Sequence, residues 1–216
     1  IDFSDDANGA LLLEPTRTNL ITNSNDFSVY AKAFSATTTG NYAISIDGTL
    51  NATRLQSSAL NLSGISKITN AGVSIENKTH TVSCWIKSNG VNTDFRLKCT
   101  HSGVLDYFSP NLTATSEWQR FTFTQLFGVG ASTNFNTGIV NSTLNNSTDL
   151  SIYGFQTETE SSYATSYIPT QGTAQTRVAD TASGAGNSTV INSSEGVLYG
   201  EFSNTENDIS DNRINL

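Results

Sequence analysis

Apolar and polar residues alternate along several short stretches of this chain, with the two-residue period of a strand. Such runs fall at Tyr42–Ile46, Ala52–Gln56, Thr79–Lys87, Asp94–Thr100, Val104–Phe108, Gln119–Phe127 and Leu150–Glu158. Clusters such as Ser88-Asn89-Gly90 and Asn145-Asn146-Ser147 separate most of them and supply the backbone freedom that tight turns need. Short strands at that spacing predict an all-β protein, an antiparallel β-sandwich. Phe121 and Phe123 alternate with Arg120, Thr122 and Thr124, which predicts a sheet with one buried and one wet face. The wet face is then open to a partner.

Composition narrows the choice. Hydrophobic residues make up 36% of the chain and charged residues 14%, a balance that favours strands and turns over long helices. The formal charge is −8 and no cluster of Lys and Arg stands out, so a nucleic-acid backbone has no electrostatic footprint here. No run approaches the roughly 18 apolar residues of a spanning helix, and Ile1–Ala10 is polar where a signal peptide needs a basic end and an apolar core. Membrane insertion is therefore not expected. The chain opens without Met, and residues ahead of Ile1 are expected. Cys84 and Cys99 share the alternation of Val82, Ile86, Phe95 and Leu97, so both are expected in the core, as free thiols rather than a disulfide. Sequons such as Asn51, Asn77 and Asn146 are what a chain rich in Asn, Ser and Thr produces by chance.

The ends differ from the middle. Residues 1–18 read as an N-terminal arm, with a turn at Asp5-Asp6-Ala7-Asn8-Gly9, an apolar anchor at Leu11-Leu12-Leu13 and Pro15 against regular continuation. Residues 19–170 form the sandwich module. Residues 171–195, rich in Thr, Ala, Gly, Asn and Ser, read as a linker or strap. A strand pattern resumes at Gly196–Ser203, and residues 196–216 are too few to stand alone. They either begin a second, truncated domain or dock on the first.

The blocks between Leu11 and Pro169 resemble a known family. Leu11-Leu12-Leu13-Glu14-Pro15-Thr16-Arg17-Thr18-Asn19-Leu20 and Asn23–Ser28 are similar to the LLLEPxRTNLxxxSxDFS opening of modules in bacteriophage tail, head-fibre and spike proteins. Asp47–Ala52 resembles the PDGTLxA block, with Ile46 in place of its Pro, and His80–Lys87 resembles YTFSVYVK. Glu117–Arg120 resembles the WQR block, and Tyr153–Gln156 with Ala164–Pro169 resembles WGAQLEEGxxATSYIPT. The resemblance spans about residues 10–180. It implies a jelly roll of the carbohydrate-binding-module type, galactose-binding-like, on a virion surface and made in the host cytoplasm. A concanavalin-like (laminin-G-like) sandwich often follows in such proteins, and Gly196–Ser203 resembles its GTLYxEFS start.

Candidate chemistry follows from strand parity. Sugar cleavage needs an acid and a base facing one cleft, and no convincing pair is present; Glu158 and Glu160 read as solvated charges near a turn. His80 and His101 fit no nucleophile or metal motif, and His80 is expected to pack. The protein is therefore read as not an enzyme. Sugar recognition needs an apolar surface beside polar groups. If Val82, Cys84 and Ile86 face the core, Trp85 and Lys87 face outward, which makes Trp85 the leading stacking candidate. Tyr153, Arg120 and Arg96 face outward by the same parity, and Tyr107 and Asp106 lie near a strand end where loops reach a ligand. Trp118, after a turn, is expected to plug one end of the sandwich. No cofactor is expected; Asp2, Asp5, Asp6 and Asn8 could ligate a structural calcium or form an ordinary Asx-rich turn.

Two functions remain open. The first is a non-catalytic carbohydrate-binding module of a phage fibre or spike that engages host surface or secreted polysaccharide. The second is a structural spacer or decoration whose polar face binds other virion subunits, in a homo-oligomer such as a trimer. The accessory part of a depolymerase is a distant third.

Overall fold

The computed structural model describes residues 13–72, 74–91, 93–101, 107–130, 133–142 and 146–181. The chain divides into two compact units. Thr16–Val178 is one. The other joins Ile1–Pro15 to Ala179–Leu216, and within it the Glu14 N–H donates to Asp180 Oδ2 at 3.1 Å while the Asp180 N–H donates to Glu14 O at 2.9 Å.

The larger unit is an antiparallel β-sandwich with jelly-roll architecture. Its strands are β1 (Arg17–Asn19), β2 (Ala31–Ala33), β3 (Thr37–Ile44), β4 (Leu50–Ser57), β5 (Gly64–Asn70) and β6 (Thr79–Ser88). They continue with β7 (Thr93–His101), β8 (Leu112–Ala114), β9 (Gln119–Leu126), β10 (Asn134–Asn141), β11 (Thr148–Thr159) and β12 (Gln175–Arg177). One five-stranded sheet runs β3-β4-β11-β6-β9 and the other β2-β5-β10-β7-β8, while β1 and β12 form a separate pair. Asp26 caps a single 3-10 turn, Phe27–Val29, by accepting from the Ser28 N–H.

The alternation read from the sequence sets the layers. Val82, Cys84 and Ile86 on β6 meet Phe95, Leu97 and Cys99 on β7 in the core, joined by Leu55, Ile139, Leu150, Ile152 and Phe155. Burying each large side chain contributes about 1.5–3 kcal/mol. Both cysteines are buried and free, and burial pushes both thiols up. Phe121 and Phe123 pack against the core from β9, while Thr122 and Thr124 are exposed.

Six strands carried no predicted run: β1, β2, β5, β8, β10 and β12. Four of them, β1, β2, β8 and β12, have only three residues, too few to show a period. Of the other two, β5 opens on Gly64 and β10 is interrupted by Gly138, and both are rich in polar residues. A Cβ on Gly64 would sit 2.1 Å from Ile139 O, and one on Gly138 would sit 2.1 Å from Ile65 O. These glycines let β5 and β10 approach closely. Of the predicted run Val104–Phe108 only Tyr107 and Phe108 are described, and Phe108 bridges to Lys98. The calcium candidates Asp2, Asp5, Asp6 and Asn8, and the strand at Gly196–Ser203, lie outside the described residues.

Candidate functional site

Strand register builds one face of the site. On β11, β6 and β9, Tyr153, Trp85 and Arg120 are direct neighbours across the sheet. Lys87, two residues beyond Trp85, stands on the same face, because strand side chains alternate. Its ammonium lies 5.2 Å from the centre of the Trp118 ring, and the Trp118 indole N–H donates to Ile44 O at 3.1 Å. Trp118 directly precedes β9 and Ile44 ends β3, the two outermost strands of this sheet. Laid flat, five strands would hold those edges about 19 Å apart. The outer face is therefore concave, with Trp118 reaching across one end.

The other end of the face is shaped by a break in β11. Through Ile152, β11 pairs with β4; beyond it, the Phe155 N–H donates to Ser24 O and the Leu20 N–H to Thr157 O. The exchange of partners is centred on Gly154, which adopts a positive φ of 67°, a conformation that favours glycine. Register shifts there against β6, and the freed Gly154 N–H donates to Asn25 Oδ1 at 2.8 Å. A cleft of about 1050 Å³ lies between the two partners of β11, with Asn51, Thr53 and Thr38 on one bank and Asn23, Asn25 and Asp26 on the other. Ile168, Gln175 and Arg177 also line it. Most of its polar side chains are amides and hydroxyls, groups that donate and accept without net charge.

Tyr153 connects face and cleft. Its hydroxyl donates to Asp47 Oδ2 at 2.8 Å, and Asn51 Nδ2 donates to the same oxygen at 2.9 Å. Hydrogen bonds from the Thr49 hydroxyl, the Asn51 amide and the Ser45 hydroxyl hold the Asp47 carboxyl far below the usual range. Burial, and after it the Asp47 carboxylate, raise the Tyr153 phenol. Tyr167 packs 5.7 Å from Tyr153 and hydrogen-bonds Ser24, and burial raises its phenol too.

Against this geometry, no family model matches the chain and no curated protein matches its sequence. Solved structures do. The C-terminal family 22 carbohydrate-binding module of Clostridium thermocellum Xyn10B superposes with a TM-score of 0.54 at 11% identity, covering 68% of this chain and 96% of that one. The CBM22-1 xylan-binding domain of Paenibacillus barcinonensis Xyn10C gives 0.50 at 8% identity, covering 71% and 98%. What they share with this chain is the jelly-roll fold.

Sequence parity brought four candidates together. Trp85, Tyr153, Arg120 and Lys87 share the concave face, with Trp85, Arg120 and Lys87 half-buried and Tyr153 only 7% exposed. Arg96 lies on β7 in the opposite sheet, its guanidinium 4.7 Å over the Phe108 ring. Tyr107 packs against the core beside Phe127 and His101. Asp106 is outside the described residues. Glu158, read as solvated, is fully buried and accepts from the Thr165 N–H and hydroxyl, because the chain after β11 folds back over that strand. Glu160 is exposed and pairs with Lys78. His80 packs as expected, stacked 4.4 Å from Phe127. Trp118 joins the two sheet edges across the wet face. Asn25, Asp47, Asn51 and Tyr167 were not among the candidates, although Asp47-Gly48-Thr49 and Ser166-Tyr167-Ile168 stand in the blocks that carry the family resemblance. Among the described residues no group of three or more His, Cys, Asp or Glu could hold a metal.

Proposed function

We propose that this chain is a non-catalytic carbohydrate-binding module, carried on a bacteriophage fibre or spike, that engages a host surface or secreted polysaccharide. The observation that carries the reading is the cleft of about 1050 Å³ lined by Asn, Gln and Thr side chains and linked through Asp47 and Tyr153 to Trp85. Amides and hydroxyls suit a polyhydroxylated ligand, and a half-buried indole suits the C–H face of a sugar ring. The jelly-roll neighbours, one of them a xylan-binding domain, support it, and the resemblance of the Leu11–Pro169 blocks supports the virion setting. Among the described residues Asp26 is the one carboxylate lining the cleft, and it accepts from the Ser28 N–H and hydroxyl. A hydrolase would need two. Single sites of this kind are weak, and repeated copies on a fibre strengthen attachment through effective concentration.

One observation favours the structural alternative. Ile44, Ile46 and Leu50, at the turn between β3 and β4, are 49–60% exposed, and an apolar patch of that kind serves subunit contacts. A glycan array of host capsule and surface polysaccharides separates the two readings. Wild type displayed multivalently is expected to bind, and Trp85→Ala and Asn51→Ala each to weaken binding at least about tenfold. Absence of binding by the multivalent wild type would leave the assembly reading standing.

A further inference from the structure

We infer, on the glycan-binding reading, that the concave face takes acidic sugar units, with the Lys87 ammonium receiving the ligand's carboxylate between Trp85 and Trp118. The ground is the disposition of charge on that face. Except for Glu117, its carboxylates are committed to the protein's own donors. Asp149 accepts from the Arg54 guanidinium, from Asn89 Nδ2 at 2.8 Å and from Gln56 Nε2 at 3.4 Å. Asp47 takes Ser45, Thr49, Asn51 and Tyr153. Glu158 is buried against Thr165, and Glu117 is exposed on the turn before Trp118.

Lys87 is different. Among the described residues the salt bridges are Arg54–Asp149 and Lys78–Glu160, and the Lys87 ammonium instead faces the Trp118 ring. A cation held by an aromatic face keeps most of its charge for a further partner, since the ring quadrupole is a weak counter-ion. The position is also half-buried. Trp118 is fixed by its bond to Ile44 O, so an anion reaching Lys87 enters a concave, partly dehydrated site, where a charge-assisted hydrogen bond gains strength over open water. On a chain of formal charge −8, an unneutralised cation beside two indoles marks where an anionic ligand gains more than a neutral one.

Matched polymers test this. Polygalacturonate, alginate and hyaluronan are compared with their carboxyl-reduced forms, which keep the backbone and lose the charge, using the multivalently displayed chain. Binding is expected to at least one acidic polymer, to fall about tenfold on carboxyl reduction and to weaken as salt rises. Lys87→Gln is expected to bind the acidic polymer no better than wild type binds the reduced one, and Lys87→Arg to restore most of the difference. Thermal unfolding of each variant confirms that the fold is kept. Equal binding of acidic and reduced forms, or binding confined to neutral glycans on the array, overturns the inference and leaves the module reading intact. Silence toward every polysaccharide, neutral and acidic, removes both.

Discussion

The two sheets of the sandwich carry different kinds of outer face. On β3-β4-β11-β6-β9 the outward side chains are large and tied into one another: Arg54 with Asp149, Tyr153 with Asp47, Arg120 with Ser83, Lys87 with Trp118. On β2-β5-β10-β7-β8 the centre is narrowed by Gly64 and Gly138, where strand backbones come close enough to exclude any Cβ. The first sheet spends its surface on polar networks around a cleft; the second spends its sequence on backbone proximity. On the glycan-binding reading, recognition falls to the first layer and framework to the second, so changes in each should be read by different measurements.

Gly138 gives the largest expected effect. A valine there would drive its Cβ into Ile65 O and Ser66, and adjacent strands cannot separate without disturbing the core on both sides. Gly138→Val is expected to cost about 4 kcal/mol in urea unfolding, at the upper end for a single substitution. Any molecules that remain folded should bind glycan as wild type does. Unchanged stability would show that β5 and β10 are not held at that separation.

The next effect tests the seam between the sheets. His80, on β6, is buried between Phe127 and Phe135, and Phe135 belongs to β10. Burial pushes the imidazole down to about 4; Lys78 adds to the effect, while the bond to Ile75 O and the Glu160 charge oppose it. The unfolded chain, with an ordinary value near 6.5, takes up the proton first. Stability is therefore complete above pH 6.5 and falls as the pH drops towards 4, by up to about 3 kcal/mol. Asp47 and Asp149, whose values are lowered, lose their contributions only below the ordinary carboxylate value of 3.8, so the windows separate. His80→Phe should flatten the loss between pH 6.5 and 4 in urea midpoints, and a variant with an undiminished loss would assign the effect elsewhere.

Legibility in the sequence followed the same division. All five strands of the concave sheet showed alternation: in β4, β6, β9 and β11 apolar residues such as Leu55, Val82, Phe121 and Ile152 face the core, while the alternating Tyr42 and Ile44 of β3 are exposed. Of the other sheet only β7 did. In β10, Asn134, Asn136 and Gly138 dilute the apolar positions Phe135 and Ile139, and Thr137, buried in the core layer, reads as polar. The site divides similarly. Parity finds a face, so Trp85, Lys87 and Arg120 could be placed; it cannot tell one sheet from the other, so Arg96 was grouped with them. The cleft arises where β11 changes partners from β4 to residues 20–24, an event set by contacts more than 100 residues apart in sequence. Gly154 is its only local signal.

Tyr153→Phe probes the join between cleft and face. Losing the hydroxyl leaves Asp47 Oδ2 with Asn51 alone, a change expected to cost about 1 kcal/mol of stability. Because Asn51 lines the cleft, glycan binding should weaken by more than the lost stability explains. A variant with unaltered binding at normal stability would separate the cleft from the Trp85 row.

The smallest expected effect is the most discriminating. Arg96 and Lys87 are both half-buried cations over an aromatic ring, at 4.7 Å from Phe108 and 5.2 Å from Trp118. They differ in the sheet that carries them. Arg96 stands opposite Val140 of β10, on the layer shaped by backbone proximity, while Lys87 shares its strand and face with Trp85. Arg96→Ala should therefore change glycan binding by less than about twofold and stability by no more than about 1 kcal/mol, the worth of one cation–π contact at a partly exposed site. If Arg96→Ala weakened binding as much as Lys87→Gln, recognition would extend over both outer faces, and cation–aromatic pairing rather than the concave layer would be the feature that selects the ligand.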